Sequence, residues 1–261
     1  MANTPVLIEV QDAILTITLN RPEKKNAITL EMYELMTEGF KQAQADEAIR
    51  VILLKGSGGV FTAGNDLKDF ARWKDYKANI EQLPVFQLIR TVVHFPKPVV
   101  VAVEGVAVGL GSTILPHCDV VVAGESTQFS LPFVRLGAVP EFGSSFLLPL
   151  FAGRLRASHL LMLGEPFDVN IAREVGLVSE VVADEAVQEI AWKRAQQLVE
   201  LPSRTLQKIK KLINYTEYVK ALDARITEES KIFFESLQSP EHQEAVQAFF
   251  EKRSPNFRKF K

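Results

Sequence analysis

Apolar and polar positions follow two patterns along this chain, and the change from one to the other sets the expected architecture. Residues 14–19, ILTITL, alternate as a half-buried strand does, and residues 6–10 are placed to pair with them through a turn at Gln11-Asp12. Residues 50–55, 99–103, 120–123 and 178–182 are short apolar runs, and the run VVVAV at 99–103 is continuous, as in a strand covered on both faces. Thr29 is placed to cap a helix carrying Leu30, Tyr33, Leu35, Met36 and Phe40 at mostly helical spacing. Helical stretches fall between the strands, which predicts the α/β class. Past about Asp184 the pattern becomes helical throughout: residues 185–200, 203–215, 218–237 and 241–252 all read as helices, the last opened by Ser239-Pro240. No fixed-period repeat or flexible linker interrupts the chain.

Composition narrows the function classes. The 261 residues are 47% hydrophobic and 24% charged, ordinary for a globular protein with a sizeable core. Net charge is −2, which argues against a nucleic-acid partner. The longest apolar runs are too short to cross a bilayer, and no basic-then-apolar leader opens the chain, so a cytoplasmic protein is expected. The single cysteine, Cys118, permits no intrachain disulfide and reads as a small buried hydrophobe.

Several common sites are missing. There is no phosphate-binding Gly-x-x-x-x-Gly-Lys and no Gly-x-Ser-x-Gly elbow. The histidines His94, His117, His159 and His242 are scattered without metal-ligand spacing, so no metal is expected. Gly105, Gly109 and Gly111 stand in the wrong order for a dinucleotide fingerprint.

Three loops carry the chemistry. FTAGNDL at 61–67 and GVAVGLG at 105–111 are glycine-bearing turns suited to offering backbone N–H groups to an oxygen that becomes negative. GAVPEFGSS at 137–145 places Glu141 downstream of them. One acid/base facing one oxyanion hole suits moving a proton along a carbon skeleton. By itself Glu141 also fits an acidic residue in the first turn of a helix.

These loops, with LNRPEKKNA at 19–27, KPVVVAVEG at 97–105, CDVVVA at 118–123, EVGLVS at 174–179 and FEKRSPNF at 250–257, resemble the crotonase, or enoyl-CoA hydratase/isomerase, superfamily over nearly the whole chain. The resemblance implies an α/β fold: a crotonase-like spiral of ββα units over residues 1–200 with the acyl-CoA site, and a C-terminal helical trimerisation region over 201–261. It implies acyl-CoA thioester substrates, an oxyanion hole at the N–H groups of Ala63 and Leu110, and a homo-oligomer, either a trimer or a dimer of trimers. No separate cofactor is implied, because coenzyme A enters with the substrate. Both hydratase glutamates are replaced, by Thr113 and Phe133, whereas Glu141 matches the glutamate of peroxisomal-type Δ3,Δ2-enoyl-CoA isomerases. The implied reaction shifts a 3-enoyl-CoA double bond to trans-2-enoyl-CoA with Glu141 as proton shuttle. Alternatives are another single-carboxylate isomerase, for example of a ring-derived acyl-CoA, a weak hydratase, or a non-catalytic crotonase-fold protein. Substrate contacts are expected from Lys24, Lys25, Ala63, Gly64, Asn65, Asp66, Leu67, Phe133, Phe249 and Lys252; the lysines also read as solvated charge.

Overall fold

A computed structural model describes residues 4–69 and 80–260. Among them β1 (Val6–Gln11), β2 (Ile14–Leu19), β3 (Val51–Gly56), β4 (Val99–Val103), β6 (Val120–Gly124) and β9 (Glu180–Val182) form a six-stranded sheet in the order β1-β2-β3-β4-β6-β9. The β1–β2 hairpin is antiparallel and every later pairing is parallel. A smaller three-stranded sheet holds β5 (Val106–Val108), β7 (Gln128–Ser130) and β8 (Phe167–Asp168). The chain passes from the large sheet to the small one twice by the same path, β4 to β5 and β6 to β7. A third pass follows β3, where Thr62 bridges Ala107. This is a ββα spiral.

Two local expectations shift. The hairpin loop is Asp12-Ala13 rather than Gln11-Asp12, because Gln11 still pairs with Ile14 and both loop residues take positive φ (51° and 60°). Strand β9 starts at Glu180 instead of residue 178; Ser179 extends the pairing through its own hydroxyl, which accepts from Val121 N–H at 2.8 Å.

β2 is buried along its whole length, not half-buried. Helix α1 (Leu30–Ala45) covers the face that carries Leu15, Ile17 and Leu19. Helix α7 (Val187–Glu200) sets Val187, Ala191 and Ala195 against Ile14, Val51, Leu53, Val100 and Val122 on the other face. Thr29 caps α1 as expected, its hydroxyl accepting from Met32 N–H at 3.3 Å. The buried Lys97 ammonium closes the far end of that helix, donating to the carbonyls of Ala43, Asp46 and Ile49 at 2.5–2.8 Å.

Further helices among the described residues are α2 (Pro84–Val93), α3 (Leu110–Thr113), α4 (Ser144–Ala152), α5 (Arg154–Leu163), α6 (Val169–Glu174), α8 (Ser203–Ile213), α9 (Thr216–Ser236) and α10 (Pro240–Phe250). Ser239 caps α10 as its sequence predicts, accepting from His242 N–H at 3.1 Å. Leu222, Ile226, Phe233 and Phe234 of α9 join the same core as the sheet, and α9 packs on α4. Among the described residues no helix is long and apolar enough to cross a membrane.

Candidate active site

The two glycine-bearing turns run side by side. Thr62 N–H donates to Val106 O at 3.0 Å, and Val108 N–H donates back to Thr62 O at 3.1 Å. Gly64 has φ of 85°, and a Cβ there would meet Val108 O at 2.7 Å. A Cβ on Gly111 would meet the Thr62 methyl at 2.5 Å. Glycine at 64 and 111 is what lets these backbones approach.

That packing settles which N–H groups are free. Ala63 N–H donates to Lys25 O at 2.9 Å, so the expected donor at Ala63 is already engaged. Gly64 N–H is held by the Thr62 hydroxyl at 3.0 Å. In the parallel bridge to Ile28, Gly64 O and Asp66 N–H face Ile28, and the intervening Asn65 N–H points the other way. Asn65 N–H has no acceptor among the described residues. Leu110 N–H, at the first position of α3, also lies outside any hydrogen bond there. Asn65 and Leu110 thus each offer a free N–H on the two turns, and the expected donor at Ala63 is replaced by the one two residues on, at Asn65. The motif marks the turn, but only the bridge to Ile28 shows which amide faces outward.

Both residues line one cavity of about 570 Å³. Lys24, Ala63, Gly64, Asp66, Leu67, Phe133 and Phe249 line it as expected. Arg21, Phe233, His242 and Phe250 are further wall residues that the sequence did not single out. Lys25 and Lys252 are not in the wall. Lys25 is an exposed left-handed residue whose role here is its carbonyl, and Lys252 sits exposed beyond α10. Phe133 is nearly covered and meets the edge of Phe233. Phe249 and Phe250 reach this cavity from the chain's own α10.

Glu141 lies behind the wall, only 4% exposed. Its Oε1 accepts from the Thr113 hydroxyl at 2.5 Å, and its Oε2 is buried without a hydrogen bond among the described residues. Burial pushes its pKa up to about 8; the Thr113 hydrogen bond works against this, and the nearby Glu229 charge works with it. Tyr33, fully buried, links the two halves of the site. Its hydroxyl donates to Asn65 Oδ1, and burial together with the Glu141 charge holds its phenol well above the ordinary range. Tyr33 reads from sequence as a core residue at helical spacing, and nothing local marks it otherwise.

Glu141 is not the only carboxylate near its loop: Glu229 arrives from α9 with no local signal. Asp66, in the cavity wall, pairs with Arg21 at 3.2 Å. Among the described residues no three His, Cys, Asp or Glu side chains gather as a metal site. The Cys118 thiol donates to Ile114 O at 3.4 Å, and burial pushes its pKa far above the thiol range, which leaves it inert at neutral pH.

Residues 9–260 match the enoyl-CoA hydratase/isomerase family. The chain belongs to that family. A structure of an enoyl-CoA hydratase/isomerase from Pseudoalteromonas atlantica T6c superposes with a TM-score of 0.90 at 37% identity, covering 97% of this chain and 99% of that one, so the fold is the crotonase fold. The 1,2-epoxyphenylacetyl-CoA isomerase of Escherichia coli (strain K12) is 37% identical over 257 residues, 97% of each chain. Enoyl-CoA delta isomerase 2 of Rattus norvegicus is 33% identical over 81% of this chain and 55% of its own length. The protein is thus a crotonase-family acyl-CoA enzyme of the hydratase/isomerase kind.

Proposed function

We propose that this family member is an acyl-CoA isomerase that moves a 3-enoyl double bond to the trans-2 position by a 1,3-proton transfer. The observation that carries the reading is Glu141, a buried carboxyl with one tethered and one free oxygen and a pKa of about 8. Its ionised form takes a proton from C2 and its acid form returns it to C4, so one group serves both steps and no water is consumed. Between the steps the thioester oxygen bears the negative charge and is held by the N–H groups of Asn65 and Leu110. Lys24 at the cavity wall supplies positive charge for coenzyme A phosphates. Burial keeps water from the carboxyl, which sustains its raised pKa.

A second reading, isomerisation of a ring-derived acyl-CoA, is favoured by the aromatic wall of Phe133, Phe233, Phe249 and Phe250 and by the relative that acts on an epoxyphenylacetyl thioester. A panel of aliphatic 3-enoyl-CoA and aryl-acetyl-CoA derivatives separates the two by their kcat/KM ratio.

Hydration of 2-enoyl-CoA should be slow or undetectable, because Thr113 and Phe133 offer no second acid/base to activate water. The check is absorbance loss of the conjugated thioester at low enzyme concentration, and rapid loss there would move the chain to the hydratase branch.

The protein should also sediment as a trimer or dimer of trimers. Leu155, Met162, Leu212 and Ile213 are 69–81% exposed in the single chain, as an unpaired interface would leave them. A monomer at micromolar concentration in the ultracentrifuge would defeat this expectation without touching the role of Glu141.

A further inference from the structure

Glu141 stands in an unusual stretch of backbone. Phe142, which follows it, has φ of 61°, a region that side chains other than glycine rarely adopt, and Gly143 follows with φ of 72°. A Cβ on Gly143 would meet the Leu222 methyl at 2.4 Å, so α9 packs directly on this turn. Two consecutive left-handed residues do not hold themselves in place, and the structure shows what does.

On one side Glu229 of α9 is 5% exposed and spends both carboxylate oxygens on the turn. Oε2 accepts from Gly143 N–H at 2.6 Å and Oε1 from Ser145 N–H at 2.8 Å. These are orphan donors at the start of α4, and no side chain of α4's own cap serves them. On the other side His117 lies parallel to the Phe142 ring, with centroids 4.4 Å apart, and its Nε2 meets Phe142 O at 2.8 Å. Facing a carbonyl, that nitrogen carries the hydrogen and donates it. The Glu141 carbonyl is itself held by Ser144, through N–H at 3.1 Å and Oγ at 2.6 Å.

We infer that Glu229 and His117 are positioning residues that clamp the Phe142-Gly143 turn from opposite sides and so fix where the Glu141 carboxyl points. The inference rests on Glu141 being the proton shuttle. The hydrogen bonds of both go to the backbone of the turn, Glu229 to Gly143 and Ser145 and His117 to Phe142. Both reach the turn from elements distant in sequence: His117 follows α3, and Glu229 lies in the C-terminal helical region. The shuttle is therefore aimed by the same helix that closes the core behind it. A proton shuttle must serve two carbons from one position, and a small misplacement costs rate without costing affinity.

The test uses the full-length Glu229→Gln variant. Glutamine keeps the size and one acceptor but turns an NH2 group toward one of the two N–H donors. Amide hydrogen exchange at Gly143 and Ser145 should quicken, and kcat should fall about tenfold with KM within about twofold. His117→Phe keeps the ring stack and removes the donor to Phe142 O, and it should shift kcat in the same direction by a smaller factor. Unchanged exchange at Gly143 and Ser145 in Glu229→Gln would overturn the clamp. So would faster exchange with unchanged kcat, or a rise in KM alone. Glu141→Gln measured alongside keeps the two readings apart: if it retains full turnover, the shuttle assignment fails whatever the exchange data show.

Discussion

Replacing Glu141 by glutamine should lower isomerase turnover by about 10²-fold or more while acyl-CoA binding stays near wild type. Glutamine has the volume of glutamate and can still accept the Thr113 hydroxyl bond, so the wall of the cavity and the free N–H groups of Asn65 and Leu110 keep their places. What disappears is the group proposed to carry a proton from C2 to C4. The loss should therefore fall on kcat, with the Kd for a non-isomerisable acyl-CoA unchanged within a few fold. Stopped-assay turnover and calorimetric binding, measured on the same preparation, give both numbers. A variant that isomerises at near-wild-type rate would remove Glu141 from the mechanism.

The same substitution should change how stability depends on pH. In the folded protein burial raises the Glu141 pKa from 4.5 to about 8. The native state thus keeps a proton that the unfolded chain releases at lower pH. Its contribution is whole below about pH 4.5 and is lost as pH rises toward 8. Glutamine has no such proton, so relative to Glu141→Gln the wild type should lose about 4 kcal/mol between pH 5 and pH 9. The amide NH2 buried beside Oε2's position lowers the variant's stability by about 1–3 kcal/mol at every pH, which displaces its curve without altering the slope. Denaturant unfolding of both proteins across that range measures it. Parallel curves would mean that the Glu141 carboxyl ionises in the ordinary carboxylate range.

Much of this was legible in the sequence where a residue's role is local. Continuous apolar runs gave the inner strands, Thr29 and Ser239 gave helix starts, and the change of pattern past Asp184 gave the C-terminal helices. The glycines at 64 and 111 marked the two turns that pack together. What was not legible depends on contacts across the chain. The first free N–H belongs to Asn65 and not Ala63 because Lys25 O, remote in sequence, takes the Ala63 donor. Glu229 reaches Gly143 across 86 positions, and an acidic residue inside a long helix carries no sign of such a partner. The alternation of β2 misled for a related reason: threonines at 16 and 18 mimic a solvent face, yet α7 covers it.

Asn65 and Leu110 present main-chain groups, and this divides the site into parts that can change at different rates over generations of mutation. Any residue except proline at 65 or 110 keeps the main-chain N–H, whose direction glycines 64 and 111 and the paired backbones set, although a change at 65 also removes the acceptor of the buried Tyr33 hydroxyl. The cavity can thus be reshaped at those two positions, wider or narrower, without dismantling the proposed oxyanion donors. The proposed proton shuttle has no such latitude: it is one side chain, and relocating its carboxyl means rebuilding the turn around residue 142. New substrates are accessible to this scaffold by single substitutions in the wall, whereas a new reaction requires a new address for the acid.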